Sequence, residues 1–325
     1  MTVFIIRRLM QSILVVFVMS FLVFGGVNIV GDPVEMMVND EADQAERERV
    51  IQVMGLDQPW YVQYGKFVTN AMHGDLGKSF VYSEESLGII VQRMPATFEL
   101  ALAALLMAVV IGIPLGVFAG LKPDSRISKL IMAGSILGFS LPTFWVGLMF
   151  IMVFAVMLGW LPSTGRGETV EVFGIEVSFL TADGLSHLIL PAINLALFKI
   201  SLVIRLARAG TREVVHQDYI KFARAKGLST NRVIFVHLMK NIMIPVVTVL
   251  GLEFGGLIAF SVVTETVFAW PGMGKLIIDS IQTLDRPVIV AYLMVIVMVF
   301  VVINLVVDVL YSILDPRVRL QDMRA

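Results

Sequence analysis

Long apolar runs are the strongest pattern in the chain. Six stretches are apolar over lengths close to or above the about 20 residues that a membrane-spanning helix needs. They cover residues 9–30, 97–120, 130–159, 188–204, 242–263 and 288–314. The pattern predicts an all-α, polytopic membrane protein with six transmembrane helices. Arg7 and Arg8 precede the first run as in a signal peptide, but the run is too long for one, so we expect an uncleaved anchor.

Composition agrees with a protein dissolved in lipid. Hydrophobic residues make up 57% of the 325 residues and charged residues only 16%, and the mean hydropathy is +0.85. Membrane lipid is therefore the expected solvent. The absence of cysteine excludes a disulfide framework, a thiolate nucleophile and a cysteine metal site. No basic stripe is interleaved with aromatic residues, so we expect no nucleic-acid partner.

The lysines and arginines give the orientation. Sixteen of them lie in four segments: the N-terminus, 121–129, 205–241 and 315–325. The loops on the other side, 160–187 and 264–287, hold only three: Arg166, Lys275 and Arg286. Because cytoplasmic loops carry the excess of basic residues, both termini are predicted to be cytoplasmic.

This topology divides the chain into four segments. They are an N-terminal segment with the first helix (1–30), an extracytoplasmic loop with short amphipathic helices (31–95), a five-helix transmembrane core (96–314) and a cytoplasmic tail (315–325). The core includes the cytoplasmic loop 205–241. Along the second run, Gly112, Gly116 and Gly120 recur every four residues and predict a smooth face for close helix packing. Three prolines in or beside the runs can each kink a helix: Pro142, Pro191 and Pro245.

The cytoplasmic loop contains a pattern for one short, isolated helix. Asp218 can cap its first turn, and Gly227 can adopt the left-handed conformation that ends it. One face of this helix carries Tyr219, Phe222, Ala223 and Lys226, while Lys221 and Arg224 point elsewhere. A two-turn helix is not stable alone, so we interpret 218–227 as a docking element rather than as a basic loop.

Signatures of catalysis are missing from the sequence. Gly77-Lys78-Ser79 resembles the end of a phosphate-binding loop, but Met72 stands where its first glycine should be. The histidines form no His-Glu-x-x-His pattern, and there is no Gly-x-Ser-x-Gly elbow. We expect no catalytic, cofactor-binding or metal residues in this chain, so a partner must hydrolyse any ATP.

Four ionisable residues fall inside the predicted spans. Glu99 is expected in the first turn of its helix and Asp308 near a cytoplasmic helix end, where structural roles suffice. Lys199 and Glu253 lie deeper, where a lone charge costs roughly 2.5–3.5 kcal/mol. Two readings stay open: Lys199 snorkels or pairs with Glu253 as packing, or one or both line a translocation path.

The chain resembles the dipeptide/oligopeptide/nickel permeases, first-subunit type, of binding-protein-dependent ATP-binding-cassette importers. The motifs that carry the resemblance are Gly31-Asp32-Pro33, Gly55-Leu-Asp57-Gln-Pro59, Gln63-Tyr64, His73-Gly-Asp-Leu-Gly77, Pro95-Ala-Thr-Phe-Glu-Leu100, Asp218 through Gly227-Leu, His237 with Asn241 and Pro245, Thr264 through Gly274, and Asp315-Pro-Arg317. The superfamily's coupling pattern is degenerate here, because Lys221-Phe222-Ala223 replaces Glu-Ala-Ala; only Ala223 and Gly227 carry over.

The resemblance implies a type I importer permease fold in a bacterial inner membrane. It implies a second homologous permease, two ATPase subunits that bind ATP and Mg²⁺, and an extracytoplasmic solute-binding protein. Together with the capped-helix pattern, it makes this segment the predicted ATPase-coupling element, with these candidate residues: Asp218, Tyr219, Lys221, Phe222, Ala223, Lys226 and Gly227. Peptides or related small solutes are the expected cargo.

Two other classes of protein compete with this reading. A stand-alone secondary transporter or channel needs ion-coupling residues at mid-membrane and usually an internal repeat, and no convincing repeat is visible. A membrane-embedded scaffold would leave the capped cytoplasmic helix unexplained. Copurification with an ATPase distinguishes these classes.

Overall fold

The computed structural model describes residues 2–29, 44–54 and 57–314. The predicted tail 315–325 and the motifs Gly31-Asp32-Pro33 and Asp315-Pro-Arg317 lie outside these residues, as does part of the motif that begins at Gly55. Among the described residues, helices dominate and one small β-hairpin interrupts them.

The long apolar runs form helices. Among the described residues, the first six helices in chain order are α1 (Thr2–Ile29), α2 (Gln44–Met54), α3 (Trp60–Met72), α4 (Ser86–Leu121), α5 (Arg126–Ser140) and α6 (Thr143–Phe150), the last continued by a π-helical segment, Ile151–Met157. The hairpin strands are β1 (Val170–Val172) and β2 (Ile175–Val177). They are followed by α7 (Ala182–Val214), α8 (Asp218–Ala225), a helical turn (Thr230–Arg232), a second π-helical segment (Val233–Leu238), α9 (Met239–Val267), α10 (Met273–Gln282) and α11 (Arg286–Leu314).

The third apolar run is not one straight helix. α5 and the helix that begins at Thr143 are bent by 107° at the break between them. The break follows from Pro142, because the residue before a proline avoids helical backbone, and Leu141 is extended with ψ 137°. Within the described residues, five helices are individually long and apolar enough to span a membrane, and the bent pair makes a sixth if it is one span.

The described residues fall into two compact units, one made of those up to residue 94 with 276–305 and the other of 95–275 with 306–314. The segment boundaries predicted at 30, 95 and 314 remain a prediction. In the first unit, α3 packs on α1, and Tyr64 Oη lies 2.8 Å from Ser20 Oγ. The fully buried Asp285 fixes the chain before α4, because it accepts hydrogen bonds from Ser79 Oγ and from the Phe80 N–H at 3.1 Å.

The second unit is built around α7, which packs against α5 and α9. It also meets the predicted glycine face of α4. A Cβ added at Gly116 would lie 2.6 Å from the Ile204 carbonyl oxygen, and one at Gly120 would lie 2.5 Å from Thr211 Cβ. These glycines therefore allow close helix packing, as the sequence predicts.

A β-hairpin lies in the loop before α7. Its strands are antiparallel, with Val170 opposite Val177 and Val172 opposite Ile175. The two turn residues, Phe173 and Gly174, have φ of 52° and 80°, as a two-residue type I′ turn requires. The turn fixes the register of this short hairpin.

The predicted orientation can be tested with single cysteines in this cysteine-free chain. Glu171, in the hairpin, and Ser229, after α8, are both exposed. In intact cells, cysteine at Glu171 should react with an impermeant maleimide, whereas cysteine at Ser229 should react only after the membrane is opened. The reverse labelling would contradict the topology.

Candidate functional site

α8 is the short helix that the sequence predicts in the cytoplasmic loop. The prediction that Asp218 caps it is wrong, because Gln217 occupies the cap position with φ −67° and ψ 147°. Asp218 lies instead in the first turn, where the helix macrodipole favours a carboxylate. Lys221 Nζ contacts Asp218 Oδ1 at 2.9 Å, so Lys221 is engaged along the helix.

The C-terminal end of α8 follows the sequence prediction. Gly227 has a φ of 76°, in the left-handed region. The Leu228 N–H donates to the Ala223 carbonyl, and the Gly227 N–H donates to the Arg224 carbonyl at 2.9 Å. These two bonds form a Schellman motif, which ends the helix abruptly.

One face of α8 is anchored in its own chain. Ile220 is fully buried and Ala223 nearly so, in an apolar cluster that also contains Val233, Leu238 and Ile242. Assigning Ala223 to an outward docking face is therefore wrong. The physical reason is that Ile220, one turn before Ala223, has the larger apolar side chain. Burial of Ile220 in the core also buries Ala223, which lies on the same side of the helix.

The adjoining face of α8 is open. The side chains of Tyr219 and Phe222 are large and apolar, yet the residues are 43% and 61% exposed. Lys226 Nζ lies 4.6 Å from the centroid of the Phe222 ring, a cation–π distance. Three of the four residues predicted on one face thus form an exposed aromatic and basic surface, which we call the α8 surface: Tyr219, Phe222 and Lys226.

Lys199 and Glu253, the two candidate path residues, meet. Lys199 lies near the middle of α7 and Glu253 near the middle of α9. Lys199 Nζ forms an ion pair with Glu253 Oε2 and lies 5.1 Å from the Phe198 ring centroid. The structure therefore shows the pairing of Lys199 with Glu253 that the sequence analysis considered. A place for either residue on the translocation path remains a prediction.

A buried carboxylate that the sequence analysis did not single out organises two family motifs. Glu265 lies near the end of α9 and is fully buried. Its Oε1 accepts hydrogen bonds from the hydroxyls of Thr97 and Ser261, both at 2.8 Å. Its Oε2 accepts the Lys275 N–H at 3.0 Å. The carboxylate therefore links the start of the 95–100 motif to the 264–274 motif.

Further bonds join the same two motifs. Thr97 Oγ1 accepts the Met273 N–H at 2.8 Å, and Trp270 Nε1 donates to the Ala96 carbonyl at 2.9 Å. A Cβ at Gly272 would lie 2.4 Å from Glu265 Oε2. The glycine lets the backbone approach the carboxylate, and the motif needs it for that reason.

Glu99 has a different role from the one predicted. Because α4 begins at Ser86, Glu99 lies inside the helix and not in its first turn. Arg166 Nη2 contacts Glu99 Oε2 at 2.6 Å, and the Ser178 N–H and hydroxyl both donate to Glu99 Oε1. Glu99 thus fastens both ends of the hairpin loop to α4. No sequence periodicity signals this pairing.

The same chain segments match known proteins. The description "Binding-protein-dependent transport system inner membrane component" fits residues 112–320, and its N-terminal counterpart fits residues 1–101. The chain belongs to this family. The permease is a multi-pass protein of the bacterial inner membrane and the transmembrane subunit of an ATP-driven importer, working in a complex with ATPase and binding-protein partners. This membership replaces the secondary-transporter, channel and scaffold alternatives.

Named relatives align along their full length. The di/tripeptide transport system permease protein DppB of Pseudomonas aeruginosa is 40% identical, over 98% of the permease and 99% of the relative. The oligopeptide transport system permease protein AppB of Bacillus subtilis is 41% identical with the same coverage. The glutathione transport system permease protein GsiC of Escherichia coli is 38% identical, over 97% and 98%.

Solved structures support the fold. The MetNI methionine ABC transporter, in an inward-facing conformation, matches with a TM-score of 0.55 at 15% identity. The match covers 70% of the permease and 96% of that chain. The type I importer permease fold predicted from the sequence is therefore confirmed.

Proposed function

We propose that the permease forms half of a translocation pathway for dipeptides, oligopeptides or related small solutes. Its partners are a second homologous permease, two ATPase subunits and an extracytoplasmic solute-binding protein. Full-length relatives named for di/tripeptide, oligopeptide and glutathione transport support this cargo class. ATP and Mg²⁺ bind to the ATPase subunits, and this chain has no catalytic site of its own.

The observation that carries the coupling role is the α8 surface. Two large aromatic residues, Tyr219 and Phe222, are exposed on a helix whose other face is locked into the core. Exposed aromatic residues with a buried backing are typical of interface anchors. Asp218, Lys221, Ala223 and Gly227 act in support: Asp218 and Lys221 pair on the helix, Ala223 anchors it, and Gly227 ends it.

Coupling is then mechanical. When ATP closes the ATPase dimer, the groove that holds α8 moves, and α8 moves with it. Since Ile220 packs in one cluster with Ala207 of α7 and Ile242 of α9, displacement of α8 acts directly on two spanning helices. The spans then open outward and accept solute from the binding protein.

Copurification tests the partner assignment. A tagged permease, expressed together with the proposed partner subunits and extracted in mild detergent, should retain an ATPase subunit whose hydrolysis rises when the peptide-loaded binding protein is added. A permease that transports alanine peptides without any bound ATPase would refute the proposal.

A further inference from the structure

The Lys199–Glu253 ion pair lies near the middle of two apolar helices and is asymmetric. The Lys199 side chain is 9% exposed, whereas that of Glu253 is 34% exposed. The Lys199 ammonium donates a hydrogen bond to Glu253 Oε2 and also lies over the face of the Phe198 ring. Among the residues that the structure describes, none donates a hydrogen bond to the other oxygen, Glu253 Oε1. The accessible end of the pair is therefore an anion.

Lipid hydrocarbon cannot donate a hydrogen bond to Glu253 Oε1. Intramembrane carboxylates almost always face a bundle interior or a water-filled cavity, because lipid cannot satisfy them. The burial of Lys199 beneath Glu253 keeps the carboxylate in one place. The second oxygen is thus directed at water, at a solute or at a cation of the second permease subunit.

Gly256, one turn beyond Glu253 on α9, leaves room beside the pair. A Cβ built there would lie 3.9 Å from both Glu253 Oε2 and Lys199 Nζ. That is an ordinary contact distance, so the space fits a Cβ without distortion. The glycine keeps a small approach to the carboxylate open.

We propose that Glu253 receives the ammonium terminus of the transported peptide at mid-membrane. Lys199 is a positioning residue that holds Glu253 Oε2, so that Oε1 is presented to the solute, and Gly256 provides the approach. A free amino terminus is the cation that peptides share, and this assignment rests on the peptide importer function proposed above. It makes Glu253 a specificity-determining residue of the pathway.

A single cysteine at Gly256 tests the charge of this position without breaking the pair. The assembled complex is reconstituted in proteoliposomes, and modification of this chain is counted by mass spectrometry. The probes are a cationic trimethylammonium-ethyl and an anionic sulfonatoethyl methanethiosulfonate, each corrected for its rate with a free thiol. Val110, which is 68% exposed on an apolar stripe of α4, provides the control as Val110→Cys.

We expect the cation to modify Gly256→Cys about fivefold faster than the anion, because the Glu253 carboxylate is 34% exposed while the equally close Lys199 ammonium is buried, its side chain only 9% exposed. Adding Glu253→Gln leaves the Lys199 ammonium unpaired, 3.9 Å from the Cβ position at residue 256, so the preference should reverse toward the anion. Alanine peptides of two to five residues should slow the reaction, and their N-acetylated forms should slow it less. The Val110→Cys control should stay unmodified. Equal rates before Glu253→Gln is added, an unreactive thiol, or no protection by peptides would overturn the proposal.

Charge reversal separates recognition from packing. The double variant Lys199→Glu with Glu253→Lys keeps a pair but exposes the cation, so the reagent preference at Gly256→Cys should reverse. Uptake of the alanine peptides should fall at least about tenfold. Full uptake in the swapped variant would assign the pair to packing and overturn the proposal.

The failure of this proposal is distinct from the failure of the function. If the unmodified complex takes up alanine peptides with ATP while Gly256→Cys ignores charge, only the assignment of Glu253 falls. If the unmodified complex takes up none of them, the peptide importer function itself falls.

Discussion

Replacing Phe222 with aspartate is expected to uncouple the permease from ATP hydrolysis while leaving it folded in the membrane. Phe222 is exposed and contacts Lys226 at the end of the same helix, so its loss leaves the core intact. A central aromatic anchor contributes about 2 kcal/mol or more to an interface, which corresponds to roughly thirtyfold weaker docking. Solute-stimulated ATP hydrolysis and peptide uptake by the assembled complex are the measurements.

Two matched aspartates make this result interpretable. Thr230→Asp adds the same charge to an exposed residue after α8, and it should leave uptake within about twofold of the unmodified permease. Ala223→Asp buries a carboxylate beside Ile220, so it should lower the amount of folded permease. Normal uptake with Phe222→Asp would contradict the docking role of the α8 surface.

The second large effect is expected at Glu265. Glu265→Ala leaves two hydroxyls and the Lys275 N–H without their acceptor in a fully buried site. Each unsatisfied buried group costs about 1–3 kcal/mol, so we expect a loss of about 3–5 kcal/mol or failure to accumulate. The measurement is the amount of monodisperse permease that survives heating in detergent.

Glu265→Gln is the control for that prediction. The amide oxygen can accept the Lys275 N–H, and the amide NH₂ can donate to Ser261, whose hydroxyl accepts as well as donates. We expect this variant to retain most of the stability that Glu265→Ala loses. Equal stability of Glu265→Ala and the unmodified permease would contradict the role of this carboxylate.

Hydropathy predicted the spans because it is a local property of the sequence. The basic residues likewise gave an orientation from composition alone. Pro142 predicts a kink from the sequence, but it does not predict the 107° size of the bend. A proline removes helical backbone locally, while the direction that the chain takes afterwards depends on the helices that pack around it.

For α8, the sequence predicted the helix and its glycine end but not which edge is buried. From the sequence alone, Ala223 can belong to either face. Alanine is small, and around the helix it is flanked by Phe222 on one side and Ile220 on the other. The contacts with Val233 and Leu238 decide the matter, and those residues lie beyond the helix. The sequence does indicate a possible pair of Lys199 and Glu253, because isolated charges at mid-span need a partner.

The links made by Glu265 and Glu99 were beyond the reach of local patterns. Thr97 and Glu265 are 168 residues apart, and Glu99 and Arg166 are 67 apart. The sequence motifs that contain Thr97, Glu99 and Glu265 can be recognised one by one. Their meeting depends on how α4 packs with the segment around α9, which no periodicity records.

ATP-driven uptake is the most direct test of the central claim. Proteoliposomes that contain the whole complex and ATP should accumulate alanine peptides when the binding protein is present. Complexes with Phe222→Asp should retain the permease but lose most of that uptake, and those with Thr230→Asp should keep it. Equal accumulation without ATP, or with Phe222→Asp, would show that this chain is not an ATPase-coupled permease acting through α8.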